Sequence, residues 1–194
     1  MSQSAQTPPD GDSIAPGTIW ITGIPASGKT TLGRSLYEGL LSKGISNVEW
    51  LDGEEVRKRL KDMYGFSTDD RTEVARYVIK LVRQYNAEGK VVVVSTISHR
   101  IETRSWIRSE IDRFMEVYLK CPADVCAARD YKDNYRKAFS GEYSNFPGVS
   151  EPYEESSPEL VLDTANSSVA ECSELLVVRT LEFIGAPSPA ARRS

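Results

Sequence analysis

Three groups of residues carry side chains whose types and spacing suit phosphoryl transfer. The first is Gly23-Ile24-Pro25-Ala26-Ser27-Gly28-Lys29-Thr30, which has the G-x-x-x-x-G-K-[ST] spacing of a phosphate-cradling loop. Its glycines let the backbone turn tightly, so that successive N–H groups face phosphate oxygens, and a helix opening near Gly28 adds its positive end. Lys29 would reach the β- and γ-phosphates and the Thr30 hydroxyl would ligate Mg²⁺, with Thr31 beside it in the phosphate-binding set. The second group is Leu51-Asp52-Gly53-Glu54-Glu55-Val56-Arg57. Asp52 can take a proton from an acceptor hydroxyl or organise the metal; it can equally be a helix N-cap. Glu54 and Glu55 need no more explanation than the helix dipole. The third group, Arg129, Lys132, Arg136 and Lys137, could close over ATP and neutralise charge on the transferring group. A solvated charged loop is the alternative.

These groups must be held by regular elements. Thr18–Thr22, Val48–Asp52, Val91–Val94, residues 114–119 and Leu160–Leu162 read as strands, the valine run being the clearest because it has no polar alternation. Between them, Leu32, Leu36 and Leu40 mark one helix, a short helix runs through Val56 and Leu60, and Val74, Val78, Leu81, Val82 and Tyr85 mark a longer one ending at Gly89. Further helices are predicted over 101–113, from about Pro122 to Ala128 and from Val169 to Phe183. Such alternation predicts an α/β fold of the P-loop NTPase/kinase type: a five-stranded parallel sheet covered by helices on both faces, with a lid segment. Ligands in such sheets sit at the strands' carboxyl ends, where Gly23, Asp52 and Ser95–Ser98 fall. Residues 129–158 break the alternation and read as a lid without clear structure. The domain is expected over 17–184, with flexible tails over 1–16 and 185–194.

Composition narrows the class. The 194 residues suffice for one domain with a real core, and a formal charge of −4 gives no general attraction to nucleic acid or an anionic membrane. No apolar run is long enough to span a bilayer, and the first residues lack a secretory core. The three cysteines, Cys121, Cys126 and Cys172, point to reduced thiols and a cytoplasmic protein. His99 is the lone histidine and cannot build a metal site by itself. No N-K-x-D guanine motif occurs, and small size plus a lid favours a nucleotide or metabolite kinase.

In order and spacing, GIPASGKTT, LDGEEVR, GFSTDDRTE, ARDYKDNYRKA, NFPGVSEPYE and PELVLDT resemble the adenylylsulfate kinases, from about Thr18 to Thr164. The resemblance implies transfer of the ATP γ-phosphoryl group to the ribose 3′-hydroxyl of adenosine 5′-phosphosulfate, giving PAPS and ADP with Mg²⁺ as cofactor. It implies that Asp52 is the catalytic carboxylate beside Lys29. By the same match Arg57 and Arg71 bind the phosphosulfate, Phe66 and Phe146 sandwich the adenine, and Ile97, Ser98 and Lys137 complete the acceptor set. Arginine forks and stacking aromatics suit those tasks independently. A homodimer of this chain, with small nucleotides as its ligands, fits the resemblance. The match frays on the acceptor side and in the lid. Glu54-Glu55 stand for Asp-Asn, Val74 for an asparagine, His99-Arg100-Ile101 for Pro-Tyr-Arg, and Tyr131-Lys132-Asp133-Asn134 for Pro-Lys-Gly-Leu. Two alternatives therefore stay open: a sister kinase acting on another nucleoside diphosphate derivative, such as a CDP-linked intermediate, or an inactive nucleotide-binding regulator.

Overall fold

The computed structural model describes residues 14–60, 63–65 and 67–186. Phe66 and the greater part of both expected tails lie outside them. Five strands, β1 (Gly17–Thr22), β2 (Val48–Asp52), β3 (Val91–Ser95), β4 (Phe114–Lys120) and β5 (Leu160–Asp163), form one sheet in the order β2-β3-β1-β4-β5. All four pairings are parallel. The helices are α1 (Lys29–Ser42), α2 (Gly53–Arg59), α3 (Thr68–Ala87), α4 (Ile101–Ser109), α5 (Ala123–Arg129), α6 (Asn134–Phe139) and α7 (Val169–Ile184).

The sheet is buried on both faces, which is why its central strands are apolar without alternation. Ile19, Ile21, Val91 and Val93 point to one face and pack with Leu32, Leu36 and Leu40 of α1 and Leu176 and Leu181 of α7. Trp20, Val92 and Val94 point to the other and meet Val74, Val78 and Val82 of α3 and Ile107 of α4. Pairing aligns the strands' carboxyl ends, with Ser95 opposite both Ile21 and Asp52. That alignment brings the phosphate loop, Asp52 and the segment after β3 to one edge. Gly33 allows α1 to lie close on the sheet: a Cβ there would meet Ser95 Oγ at 2.1 Å and Trp50 Nε1 at 2.7 Å.

Three boundaries differ from expectation. Ile14 and Ala186 pack on the core and the Ala15 N–H donates to the Ile184 carbonyl, so residues 14–16 and 185–186 belong to the packed chain. The helix predicted over 101–113 stops at Ser109. Four residues later the Arg113 carbonyl accepts from Thr18 N–H, an interaction with β1 that draws this stretch out of the helix. Residues 129–158 hold α6 and a third apolar cluster, in which Tyr135, Ala138 and Phe146 pack with Ile24, Cys121 and Cys126. The aromatic residues that made this stretch look irregular are the ones that dock it on the phosphate loop.

Candidate active site

The loop between β1 and α1 takes its shape from left-handed backbone at Gly28 (φ 101°) and at Ala26 (φ 58°), the alternation that turns successive N–H groups toward one point. Its carbonyls are fixed from outside. Tyr135 Oη donates to Pro25 O (2.9 Å), Thr164 Oγ1 to Ser27 O (3.0 Å) and Lys29 Nζ to Ile24 O (2.6 Å). Within the loop, Ser27 N–H donates to Ile24 O (3.3 Å). Ser27 Oγ is buried there without a hydrogen-bond partner. Lys29 is half-buried as a residue, but its ammonium is folded inward, and burial brings its pKa from 10.5 down to about 8, with Asp52 opposing. An ammonium so poorly solvated is primed for phosphate oxygens.

At the first turn of α1, Thr30 Oγ1 donates to Asp52 Oδ2 at 2.7 Å. The other carboxylate oxygen, Oδ1, accepts from the N–H of Glu54 (2.9 Å) and of Glu55 (3.3 Å), capping α2. Of the two roles open in the sequence, the N-cap is the one seen here, through Oδ1, while Oδ2 faces the phosphate-loop threonine.

Next to it lies a pocket whose wall includes Arg57, Arg71, Val74, Ile97, His99 and Arg100. Arg57 donates to Gly65 O (2.8 Å) and Arg71 to Asn145 O (2.9 Å). Burial lowers both guanidinium pKa values; Asp70 counters this for Arg57, whereas Arg71 also feels Arg57 and Arg100 as like charges and Glu151 as a compensating one. Ile97 and Ser98 also line the pocket. The Ser98 polar atoms are engaged by β1, through Trp20 Nε1 to Oγ (3.2 Å) and its own N–H to Thr22 Oγ1 (3.2 Å).

The expected lid cations are held by protein partners. Arg129 donates to Thr164 O (2.8 Å) and lies 3.6 Å from Cys121 Sγ. Arg136 pairs with Asp133 one turn away, and Lys137 stands over the Tyr143 ring. Lys132 reaches across to Glu54, linking the lid to α2 next to Asp52. Phe146 is 9% exposed, stacked with Tyr143 and edge-on to Tyr135. A purine on Phe146 has to share or replace that stack.

The sequence reading missed three residues that shape the site. Tyr135 anchors the loop at Pro25. His99, set aside as a lone histidine, is buried with Nε2 2.8 Å from Glu151 Oε2. Arg104, 1% exposed, pairs with Glu116 (Nε to Oε1, 2.9 Å) and donates to Ser98 O (2.5 Å) and to Glu154 O. It ties the pocket's floor to the end of the lid. No signal in the sequence marks it, since a charged residue on a helix is ordinarily exposed.

The family model described as adenylylsulphate kinase matches residues 15–163. An adenylyl-sulfate kinase from Synechococcus sp. (strain JA-3-3Ab) is 40% identical over 161 residues, covering 82% of this chain and 91% of the relative. A probable adenylyl-sulfate kinase from Archaeoglobus fulgidus is 42% identical over 147 residues, 75% of this chain and 94% of that one. The structure resembles that of the Mycobacterium tuberculosis APS kinase CysC in complex with AMPPNP and APS. The TM-score is 0.78 at 31% identity, covering 89% of this chain and 99% of the other. On these grounds this chain belongs to the adenylylsulfate kinase family.

Proposed function

We propose that this protein transfers the γ-phosphoryl group of ATP to the ribose 3′-hydroxyl of adenosine 5′-phosphosulfate, releasing PAPS and ADP. The observation that carries this reading is Asp52. Its carboxylate sits 2.7 Å from the phosphate-loop hydroxyl of Thr30, at the strand edge shared with the arginine-walled pocket. Asp52 caps α2, the helix that carries Arg57 into that pocket's wall, which supports a donor site and an acceptor site meeting there.

In this mechanism the N–H groups of Gly28, Lys29, Thr30 and Thr31, with the Lys29 ammonium, hold the ATP phosphates. Arg57 and Arg71, with Ile97, Ser98 and Lys137, hold the acceptor, whose adenine stacks on Phe146 and Phe66. Asp52 Oδ2 accepts the 3′-hydroxyl proton as the oxygen attacks γ-phosphorus; the bond to the β-phosphate oxygen breaks and ADP leaves. Lys29, already short of solvent, follows the charge on the moving phosphoryl group. Arg129, Lys132 and Arg136 belong to the closed lid, and Lys132 would exchange Glu54 for phosphate. Mg²⁺ fits the donors present, because Thr30 Oγ1 and the Asp52 carboxylate supply the one or two protein oxygens it takes when phosphates and waters complete its shell. When bound, it would screen the β- and γ-phosphate charge. Among the described residues no helix is long and apolar enough to cross a membrane. We carry the homodimer and the cytoplasmic location as parts of the same reading, and light scattering on the purified chain tests the first.

The test is a coupled ADP-release assay with Mg-ATP, offering adenylylsulfate beside a panel of nucleotides that includes CDP derivatives. Turnover at micromolar adenylylsulfate with PAPS as product is the expected result. Activity confined to another nucleotide would overturn the acceptor, and ATP binding without any turnover would overturn the enzyme.

A further inference from the structure

The acceptor pocket holds one more cation than its family match assigns. Arg100, directly before α4, lines the same pocket as Arg57 and Arg71. Its side chain is 41% exposed, enough to meet a ligand, yet Nη2 is held 3.2 Å from Glu151 Oε1. The other Glu151 oxygen, Oε2, lies 2.8 Å from the buried His99 Nε2. Glu151 itself is fixed by backbone: its N–H donates to Phe146 O (3.1 Å) and its carbonyl accepts from Gly148 N–H (2.6 Å). Two further bonds staple the strands of chain together, Glu154 N–H to His99 O (2.9 Å) and Ile101 N–H to Glu154 Oε2 (2.7 Å). One rigid carboxylate therefore aims a guanidinium and an imidazole at the pocket wall, where three arginines converge.

We propose that Arg100 is a third acceptor-binding cation that reads the anionic phosphosulfate end of the acceptor, and that Glu151, flanked by His99, is the residue that positions it. The inference rests on adenylylsulfate being the acceptor. Arg57 and Arg100 act on Arg71 as like charges, with Glu151 opposing them there and Asp70 acting on Arg57, so a dianion entering the pocket meets three guanidinium groups on its wall. A fork held at a fixed angle loses less freedom on binding than an arginine free in solvent.

The test is titration of adenylylsulfate into the ADP-bound protein, with steady-state kinetics beside it, for wild type, Arg100→Ala, Arg100→Lys, Glu151→Gln and the Arg100→Ala/Glu151→Gln double variant. Arg100→Ala should weaken adenylylsulfate binding about tenfold or more, the scale of one charge-assisted contact, and leave the KM for ATP within about twofold. Arg100→Lys should fall between, since charge remains and the fork is lost. Glu151→Gln should weaken acceptor binding by about threefold in the wild-type background and not at all on top of Arg100→Ala, the coupling expected of a residue acting through another. Unchanged acceptor affinity in Arg100→Ala, an equal loss of ATP affinity, or an undiminished Glu151→Gln effect in the double variant would each overturn the proposal. Wild-type turnover separates the two readings. A wild type that binds adenylylsulfate, with the expected variant pattern, but yields no PAPS would sink the function and leave the Arg100 role intact.

Discussion

The inward-turned ammonium of Lys29 lowers the stability of the ligand-free protein, and Lys29→Met measures by how much. The ammonium is turned inward onto the Ile24 carbonyl and its pKa is brought from 10.5 to about 8. A shift of that size corresponds to roughly 3 kcal/mol of disfavoured charge at neutral pH. The lysine is half-buried rather than sealed, so solvent reduces this to about 2 kcal/mol. Methionine fills the same path without the charge but forfeits the bond to Ile24 O, worth about 1 kcal/mol. The ligand-free variant should therefore be more stable than wild type by about 1 kcal/mol, a rise in Tm of about 2–4 °C for a chain of this size. The pH dependence has a definite sign. Between pH 8 and 10.5 the unfolded chain binds the Lys29 proton and the folded one does not, so wild-type stability recovers as pH rises through that window. The advantage of Lys29→Met is largest below pH 8 and turns into a deficit of about 1 kcal/mol above 10.5, where only the lost bond to Ile24 O counts. ATP reverses the order: near 100 Kd it should add about 2.7 kcal/mol to wild type and almost nothing to the variant, which has no turnover. Urea and thermal unfolding at several pH values, with and without ATP, read all of this. A ligand-free Lys29→Met protein less stable than wild type at pH 7 would refute the reasoning, because the buried ammonium would then be a stabilising group.

Three other substitutions separate roles that the structure combines. Asp52→Asn keeps an oxygen to cap α2 but removes the base, so kcat should fall by about 10²–10⁴ with little change in Tm; Asp52→Ala should lose about 1 kcal/mol of stability as well. A kcat near wild type in Asp52→Asn would remove Asp52 from the chemistry. Arg104→Met breaks a buried pair with Glu116 and two carbonyl bonds, and should lower Tm on the order of 10 °C. Thermal unfolding within about 2 °C of wild type would show the network to be dispensable. Val74→Asn, on the pocket wall and 6% exposed, should lower the KM for adenylylsulfate about two- to tenfold by restoring a hydrogen bond. It should also lower Tm, because α3 packs this position on the sheet. An unchanged or raised KM would mean that the acceptor does not reach Val74.

Contiguous residues sufficed for the five strands, for the described helices other than α6, and for the phosphate loop. The phosphate loop lies within eight consecutive positions, and its conformation follows from its own glycines and the strand and helix flanking it. The buried valines of β3 and the leucine spacing of α1 likewise state their environment locally, through lack of alternation and a 3.6-residue period. Asp52 was legible as a candidate because β2 ends there, and the N-cap, one of the two readings open for it, is seen in the bonds from Glu54 and Glu55 N–H. The acceptor side was legible only as a set of residue types. Arg100 and Glu151 are 51 residues apart, Arg104 and Glu154 are 50 apart, and Tyr135 reaches Pro25 across 110. Nothing local distinguishes these residues from solvated charges and surface rings. Their partners are chosen by the parallel sheet, which aligns the ends of β1, β2 and β3, and by the lid folding back across that edge. Phe146 shows the same division. The resemblance gave it an adenine to stack on, and the fold packs Tyr135 and Tyr143 against it. Burial of apolar area is a property of what the folded chain brings alongside a ring, and that is decided by packing at long sequence separation.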